Sequence, residues 1–201
     1  MDLHLTRDYR VLIVPGLHGS GPAHWQTRWQ QLHPFFERVE QLQWDVPDLD
    51  AWSARLDGAL RASTRPAVVV AHSFGCLTTV ACAEVGRIAG ALLVAPADPY
   101  KFGVAARVRR ALPVPSIVIG STNDPWMNEG DAGHWADLWD SAFFNAGPLG
   151  HINADSGLGD WRFGLFCLHQ LLVSVNDDRA LRRRARLNPR KAGVEADLCR
   201  L

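Results

Sequence analysis

A serine that attacks a carbonyl needs a backbone turn that exposes its hydroxyl, and Ser73 stands at such a turn. The unbroken apolar run Ala67–Ala71 (AVVVA) passes into His72-Ser73-Phe74-Gly75, and a helical stretch follows. This is the pattern G-x-S-x-G with Ala71 in the first glycine position, the strand–turn–helix bend called a nucleophile elbow. Residues two before and two after the serine come close to neighbouring backbone and must be small. Gly75 meets that need fully and Ala71 nearly so. The helix turns its free N–H groups toward the serine, where they favour developing negative charge. A small-residue turn in which serine is incidental is the competing reading, and the strand–turn–helix context weighs against it.

Acylation of a serine needs a base, and the base needs an orienting acid. With an elbow of this kind the chain order is Ser, then Asp or Glu, then His. The strand Ser116–Gly120 is followed by Ser121-Thr122-Asn123-Asp124-Pro125, and the strand Ser141–Asn145 by a glycine-rich loop that reaches His151. Asp124 lies 51 residues beyond Ser73 and His151 another 27 beyond Asp124, room for a strand–helix unit each time. Asp98 also follows a strand, one earlier, and is the best competing acid. Asp155 is too near His151 to come from a separate strand. His134 and His169 fall in helical stretches, and His72 adjoins the serine in a backbone direction that aims it away from the same bond. Three groups at three independent strand ends are much harder to obtain by accident than one motif.

After the first strand, Val11–Val14, comes Pro15-Gly16-Leu17-His18-Gly19-Ser20-Gly21-Pro22. These glycines do not match G-x-G-x-x-G and no lysine follows, so a dinucleotide or phosphate loop is a poor fit. For acyl transfer the loop would supply one oxyanion donor, the amide of Leu17, beside the amide of Phe74. Losing one such donor costs ~3 kcal/mol of transition-state stabilisation.

The scaffold expected to hold these groups is an α/β fold. Apolar runs without alternation, as in AVVVA, mark strands covered on both faces. Strands are expected at Val11–Val14, Arg38–Trp44, Ala67–Ala71, Ala89–Val94, Ser116–Gly120 and Ser141–Asn145. Helices are expected at Trp25–Leu32, about Leu49–Arg61, Gly75–Val85 and Trp161–Val173, and a further one could form within Tyr100–Leu112. Strand–helix alternation implies parallel pairing, hence about six mostly parallel strands with helices on both faces.

The chain has 201 residues, 47% of them apolar, enough for one domain that buries roughly 70% of its unfolded surface. Twenty-one basic and 21 acidic side chains cancel, so overall charge makes no case for nucleic acid or membrane. The balance is uneven: residues 1–175 carry −4, and the tail from Asn176 to Leu201 carries +4. The expected division is a domain over 1–175 and a basic C-terminal appendage over 176–201, solvated and free to move. Cys76, Cys82, Cys167 and Cys199 form no C-x-x-C pair, and MDLHLTRDYR lacks the apolar run of a signal peptide, so the expected location is the reducing cytoplasm.

Four blocks, VLIVPGLHGSGPAHWQTRW, VVVAHSFG, IGSTNDPW and GHINADSGLGDW, resemble the small serine hydrolases of the retinoblastoma-binding protein 9 family, and its bacterial members in particular. The resemblance covers about residues 10 to 172. It implies a compact α/β-hydrolase fold without a large lid domain, a triad on Ser73, Asp124 and His151, and esterase-like activity. Ala71 departs from the usual elbow glycine, and the basic tail lies outside the matching blocks. His18, His24, Trp25 and Trp126 are candidates for the substrate pocket, although Trp25 and Trp29 at helical spacing are read more simply as core.

The expected function is therefore a serine hydrolase cleaving a small ester, thioester or amide through an acyl-enzyme, with no metal or organic cofactor required. The expected partner is a small-molecule acyl substrate. An acyltransferase that passes the acyl group to an alcohol or amine stays open. The rival from another class is a hydrolase-shaped binding protein that engages a protein partner through its surface or the six arginines between Arg179 and Arg190.

Overall fold

Alternation of side chains along the strands decides the layering. The computed structural model describes residues 8–83 and 86–187. It contains six parallel strands: β1 (Arg10–Val14), β2 (Phe36–Arg38), β3 (Ala67–Ser73), β4 (Ile88–Pro96), β5 (Ser116–Gly120) and β6 (Ala142–Asn145). In space they run β2-β1-β3-β4-β5-β6, so β1, β3 and β4 sit in the middle. Leu12, Val14, Val69, Leu93 and Val118 face one side, packed with the helices α2 (Leu49–Arg61), α3 (Phe74–Ala81) and α5 (Glu129–Leu138). Val11, Ile13, Val70, Leu92 and Ile119 face the other, against α1 (Trp25–Leu32) and α6 (Arg162–Leu187). Strands buried on both faces read as continuous apolar runs because neither side meets water.

The helices start where local chemistry allows. Asp48 caps α2 by accepting the amides of Asp50 and Ala51, and Leu49, Trp52, Leu56 and Leu60 then fall on its buried face. Burying each of those side chains contributes ~1.5–3 kcal/mol. Asn128 caps α5 in the same way, accepting from Asp131.

Several expectations change. The strand expected over Arg38–Trp44 is instead the three-residue β2, paired through Phe36, Glu37 and Arg38 with β1. The Arg38 guanidinium binds Gly19 O, Thr27 Oγ1 and Gln30 Oε1, and Trp44 folds over Gly19, so the chain beyond Val39 braces the first loop and leaves the sheet. Between Tyr100 and Leu112 only one turn forms, α4 (Ala105–Val108), because Gly103 at φ +67° breaks the run. α3 ends at Ala81; Val85 lies outside the described residues.

The boundary expected at 175/176 falls inside α6, which runs on to Leu187. Leu168, Leu171, Leu172 and Val175 continue one buried stripe, and the Ala, Leu and Arg that follow are strong helix formers. Asn176 accepts a hydrogen bond from Tyr9 Oη at 3.0 Å, and Arg182 donates to Pro113 O at 3.1 Å, so the start of the basic segment is docked on the domain. Residues 188–201 of the expected appendage, with Cys199, lie outside the described residues. No separate lid domain stands over the sheet among the described residues, and none of their helices is long and apolar enough to cross a membrane.

Candidate active site

Ser73 ends β3 at φ +54° and ψ −123°, a region that L-residues enter only when the surroundings enforce it, at a cost on the order of 1–3 kcal/mol. The enforcement comes from the first loop. A Cβ on Gly16 would sit 2.6 Å from Ser73 Cβ, and a Cβ on Gly75 would sit 2.5 Å from the carbonyl oxygens of both Val14 and Pro15. The loop after β1 and the elbow therefore interlock, and only glycine fits at either contact. Ala71 pairs with Val14 and Leu93 in the interior of the sheet, its methyl fully buried. Although Ser73 precedes α3, its hydroxyl does not cap the helix and is left for another partner.

That partner is His151. Its Nε2 lies 2.9 Å from Ser73 Oγ, and its Nδ1 lies 2.8 Å from Asp124 Oδ2 and 3.0 Å from Oδ1. Asp124 Oδ1 also accepts the Trp126 amide at 2.9 Å, and the carboxylate is 1% exposed. The loops carrying acid and base are laced together. Ser121 Oγ accepts from the Leu149 amide at 3.0 Å and donates to Gly147 O at 2.9 Å, while Asn123 Oδ1 accepts from the Gly150 amide at 2.7 Å. Sequence reading passed over Ser121 and Asn123; their position beside Asp124 at the end of β5 was the available signal.

Leu17 opens a 3₁₀ turn (Leu17–Gly19) and Phe74 opens α3, so both amides belong to first turns, where N–H groups lack an internal acceptor. A cavity of about 560 Å³ is lined by Leu17, His18, His24, Ala97, Phe102 and Trp126 together with Ser73 and His151. His18 sits at the rim, its Nδ1 2.8 Å from Asp45, and Trp126 is 59% exposed. Asp98 lines the cavity too, but its carboxylate accepts the Tyr100 amide and makes no bond to His151. Asp155 lies on the rim, also apart from the imidazole.

Trp25 does not line the cavity. Lying on the buried face of α1, it packs against Trp29 and Trp161 and donates Nε1–H to Ile152 O at 2.8 Å. His72 does line it, and its Nε2 donates to the backbone carbonyl of His151 at 2.9 Å. The sequence placed His72 away from the serine bond and did not foresee that contact.

His24 caps α1 with Nδ1, accepting the Gln26 amide at 3.2 Å, so its proton resides on Nε2, which is buried without a partner among the described residues. Burial first, then the positive charges of Arg38 and His151, push its pKa from 6.5 to about 3. Because the unfolded chain binds this proton more readily, the contribution to stability is fully present above pH 6.5 and is lost as pH falls toward 3. The loss is about 1.4 kcal/mol for each pH unit. Urea unfolding at pH 6.5, 5.5 and 4.5 should therefore show a slope shallower by about that amount in His24→Gln than in wild type; equal slopes would refute a buried neutral His24.

Comparison with known proteins bears on family and fold. A family described as serine hydrolase matches residues 11–170. Among solved structures, a protein described as a YdeN-like hydrolase from Pectobacterium atrosepticum is 36% identical, with a TM-score of 0.83 over 86% of this chain and 95% of that one. The ydeN gene product of B. subtilis is 19% identical, with a TM-score of 0.67 over 82% of this chain and 99% of its own. A thermophilic esterase from Thermogutta terrifontis is 16% identical, with a TM-score of 0.60 over 83% and 90%; these last two likenesses speak to fold alone. No curated protein matches. On the family match and the 36% identity together, the chain belongs to the serine hydrolase family.

Proposed function

We propose that the protein is a carboxylesterase-like serine hydrolase acting on a small ester, thioester or amide through an acyl-enzyme at Ser73. The observation that carries this reading is the unbroken chain Ser73 Oγ–His151 Nε2–His151 Nδ1–Asp124, spanning three strand ends beneath an open cavity. His151 takes the Ser73 proton as Oγ attacks the carbonyl, and Asp124 holds the imidazole in the tautomer with Nδ1–H and offsets the imidazolium charge. The oxyanion accepts hydrogen bonds from the Leu17 and Phe74 amides. His151 then gives its proton to the departing alcohol, thiol or amine. Water, deprotonated by the same imidazole, attacks the acyl-serine and releases the acid.

A cavity of about 560 Å³ with Leu17, Phe102 and Trp126 among its lining is of the size and apolar character that takes a small-molecule acyl substrate, and we place the preference at short acyl chains. This is also the reaction expected of the bacterial retinoblastoma-binding protein 9-like type. The thiols of Cys76, Cys82 and Cys167 are free and buried, which fits a reducing compartment such as the cytoplasm.

The test is a fluorophosphonate probe followed by peptide mapping, with a panel of p-nitrophenyl esters from acetate to laurate. The adduct should map to Ser73, and turnover should be greatest for the short chains. An adduct on another residue, or none, would overturn the assignment.

A further inference from the structure

On the reading of His151 as general base, we propose that His72 and Trp25 are positioning residues that clamp the loop carrying it. Ser121 and Asn123 hold this loop from the acid's side, through Gly147, Leu149 and Gly150. Nothing in those bonds sets the distance to the nucleophile. His72 does, because it is the residue before Ser73 on β3 and its Nε2–H reaches the backbone carbonyl of His151 itself. Nucleophile and tether are thus adjacent on one rigid strand end, and the base is fixed relative to that strand by a bond of 2.9 Å.

Trp25 supplies the second point, donating Nε1–H to the carbonyl of the next residue, Ile152, at 2.8 Å. Ile152 needs such support. It is β-branched, fully buried, and held at φ +47°, a conformation that β-branched residues adopt only under constraint. The chain turns back sharply at Gly150 (φ +59°) and Ile152, which leaves the carbonyls of His151 and Ile152 outside any ladder. Among the described residues each is met by one donor, and both donors are side-chain N–H groups of buried aromatic rings. His24 joins the two, its ring centroid 4.7 Å from that of His72 and 5.3 Å from that of Trp25.

The tautomer follows from the bond. A carbonyl only accepts, so His72 carries its proton on Nε2, and full burial keeps the ring neutral by pushing its pKa well below 6.5. A neutral ring can sit 4.9 Å from the His151 ring without repelling the imidazolium formed there during acylation. Arginine or lysine at the same place would hold the carbonyl equally well but oppose that charge.

The clamp makes a separable claim about geometry. Displacing a reacting group by about 1 Å costs up to about 100-fold in rate. His72→Phe keeps a ring beside His24 and removes the donor, whereas His72→Gln replaces Nε2–H with an amide N–H of similar reach. His72→Phe should lower kcat for a p-nitrophenyl ester and the rate of fluorophosphonate labelling by roughly 10- to 100-fold, with KM within about threefold of wild type. His72→Gln should recover most of that loss. Trp25→Phe should lower kcat by roughly tenfold.

Amide hydrogen exchange of the peptide spanning residues 147–153 reads the tether without reference to activity. It should quicken in His72→Phe and stay near wild type in His72→Gln, with the sheet peptides unchanged in both. Equal labelling rates and equal exchange in wild type and His72→Phe would overturn the clamp while leaving the hydrolase reading intact. A wild-type protein that does not label at Ser73 would instead overturn the hydrolase reading, and the catalytic role of the clamp with it.

Discussion

Ser73→Ala should lower kcat for a p-nitrophenyl ester by roughly 10⁴- to 10⁶-fold, measured against wild type at saturating substrate. Without Oγ no acyl-serine forms, and what remains is the contribution of the Leu17 and Phe74 amides and of substrate binding. KM should change little, because the cavity walls are untouched. Folding should survive as well. The residue keeps its place between Gly16 and Gly75, and one partly buried hydrogen bond to His151 is lost, worth about 1 kcal/mol. Since the backbone strain at φ +54° serves only to present the hydroxyl, thermal unfolding should show the midpoint falling by a few degrees at most. A variant that retains wild-type turnover would place the nucleophile elsewhere.

Asp124→Asn should cost roughly 10⁴-fold in kcat while leaving the fold unchanged. The argument is one of tautomers. Oδ1 of Asp124 accepts the Trp126 amide, so an asparagine would place its carbonyl oxygen there and its NH₂ at the Oδ2 position, 2.8 Å from His151 Nδ1. An NH₂ group donates, and at this closer position it outweighs the 3.0 Å contact of Nδ1 with the carbonyl oxygen, which the Trp126 amide already occupies; Nδ1 becomes the acceptor and the imidazole proton moves to Nε2. That nitrogen faces Ser73 Oγ and can no longer take its proton. The check is kcat in parallel with a crystal structure or a thermal melt of the variant. A loss below tenfold with the geometry preserved would mean that Asp124 does not set the tautomer, and Asp98 or solvent would have to be reconsidered.

Both effects depend on support that is not itself reactive. Gln26 is fully buried beneath the first loop. Its Nε2 donates to Val14 O at 3.3 Å and Val70 O at 3.1 Å, and its Oε1 accepts from Ser20 Oγ at 2.7 Å. One amide thus satisfies the carbonyls of Val14, at the end of β1, and Val70, within β3, and ties the first loop to them. Arg38 grips the same loop from outside through Gly19 O at 2.6 Å. Preorganised donors of this kind are effective because no reorganisation is needed when charge develops on the substrate.

Local chemistry made much of this legible in the residues alone. Apolar runs on strands, the small residues flanking Ser73, and the acid and imidazole just past β5 and β6 follow from short-range sterics and from the rule that parallel sheets carry their reactive groups at strand ends. Those signals act within a few residues, which is why Ser73, Asp124 and His151, which the structure brings into one hydrogen-bonded chain, could be picked out as candidates from the residues alone.

What depended on distant partners could not be read the same way. β2 was misplaced because Arg38 finds its ligands on the first loop and α1, and the end of α6 was missed because its anchor, Tyr9, is 167 residues away. Helical spacing with Trp29 favoured the core for Trp25, and neither it nor His72 carried any sign in the sequence of the hydrogen bond it makes. Their roles exist only once folding brings the 151–152 carbonyls within hydrogen-bond reach, since a hydrogen bond is specified by distance in space and leaves no periodic trace along the chain.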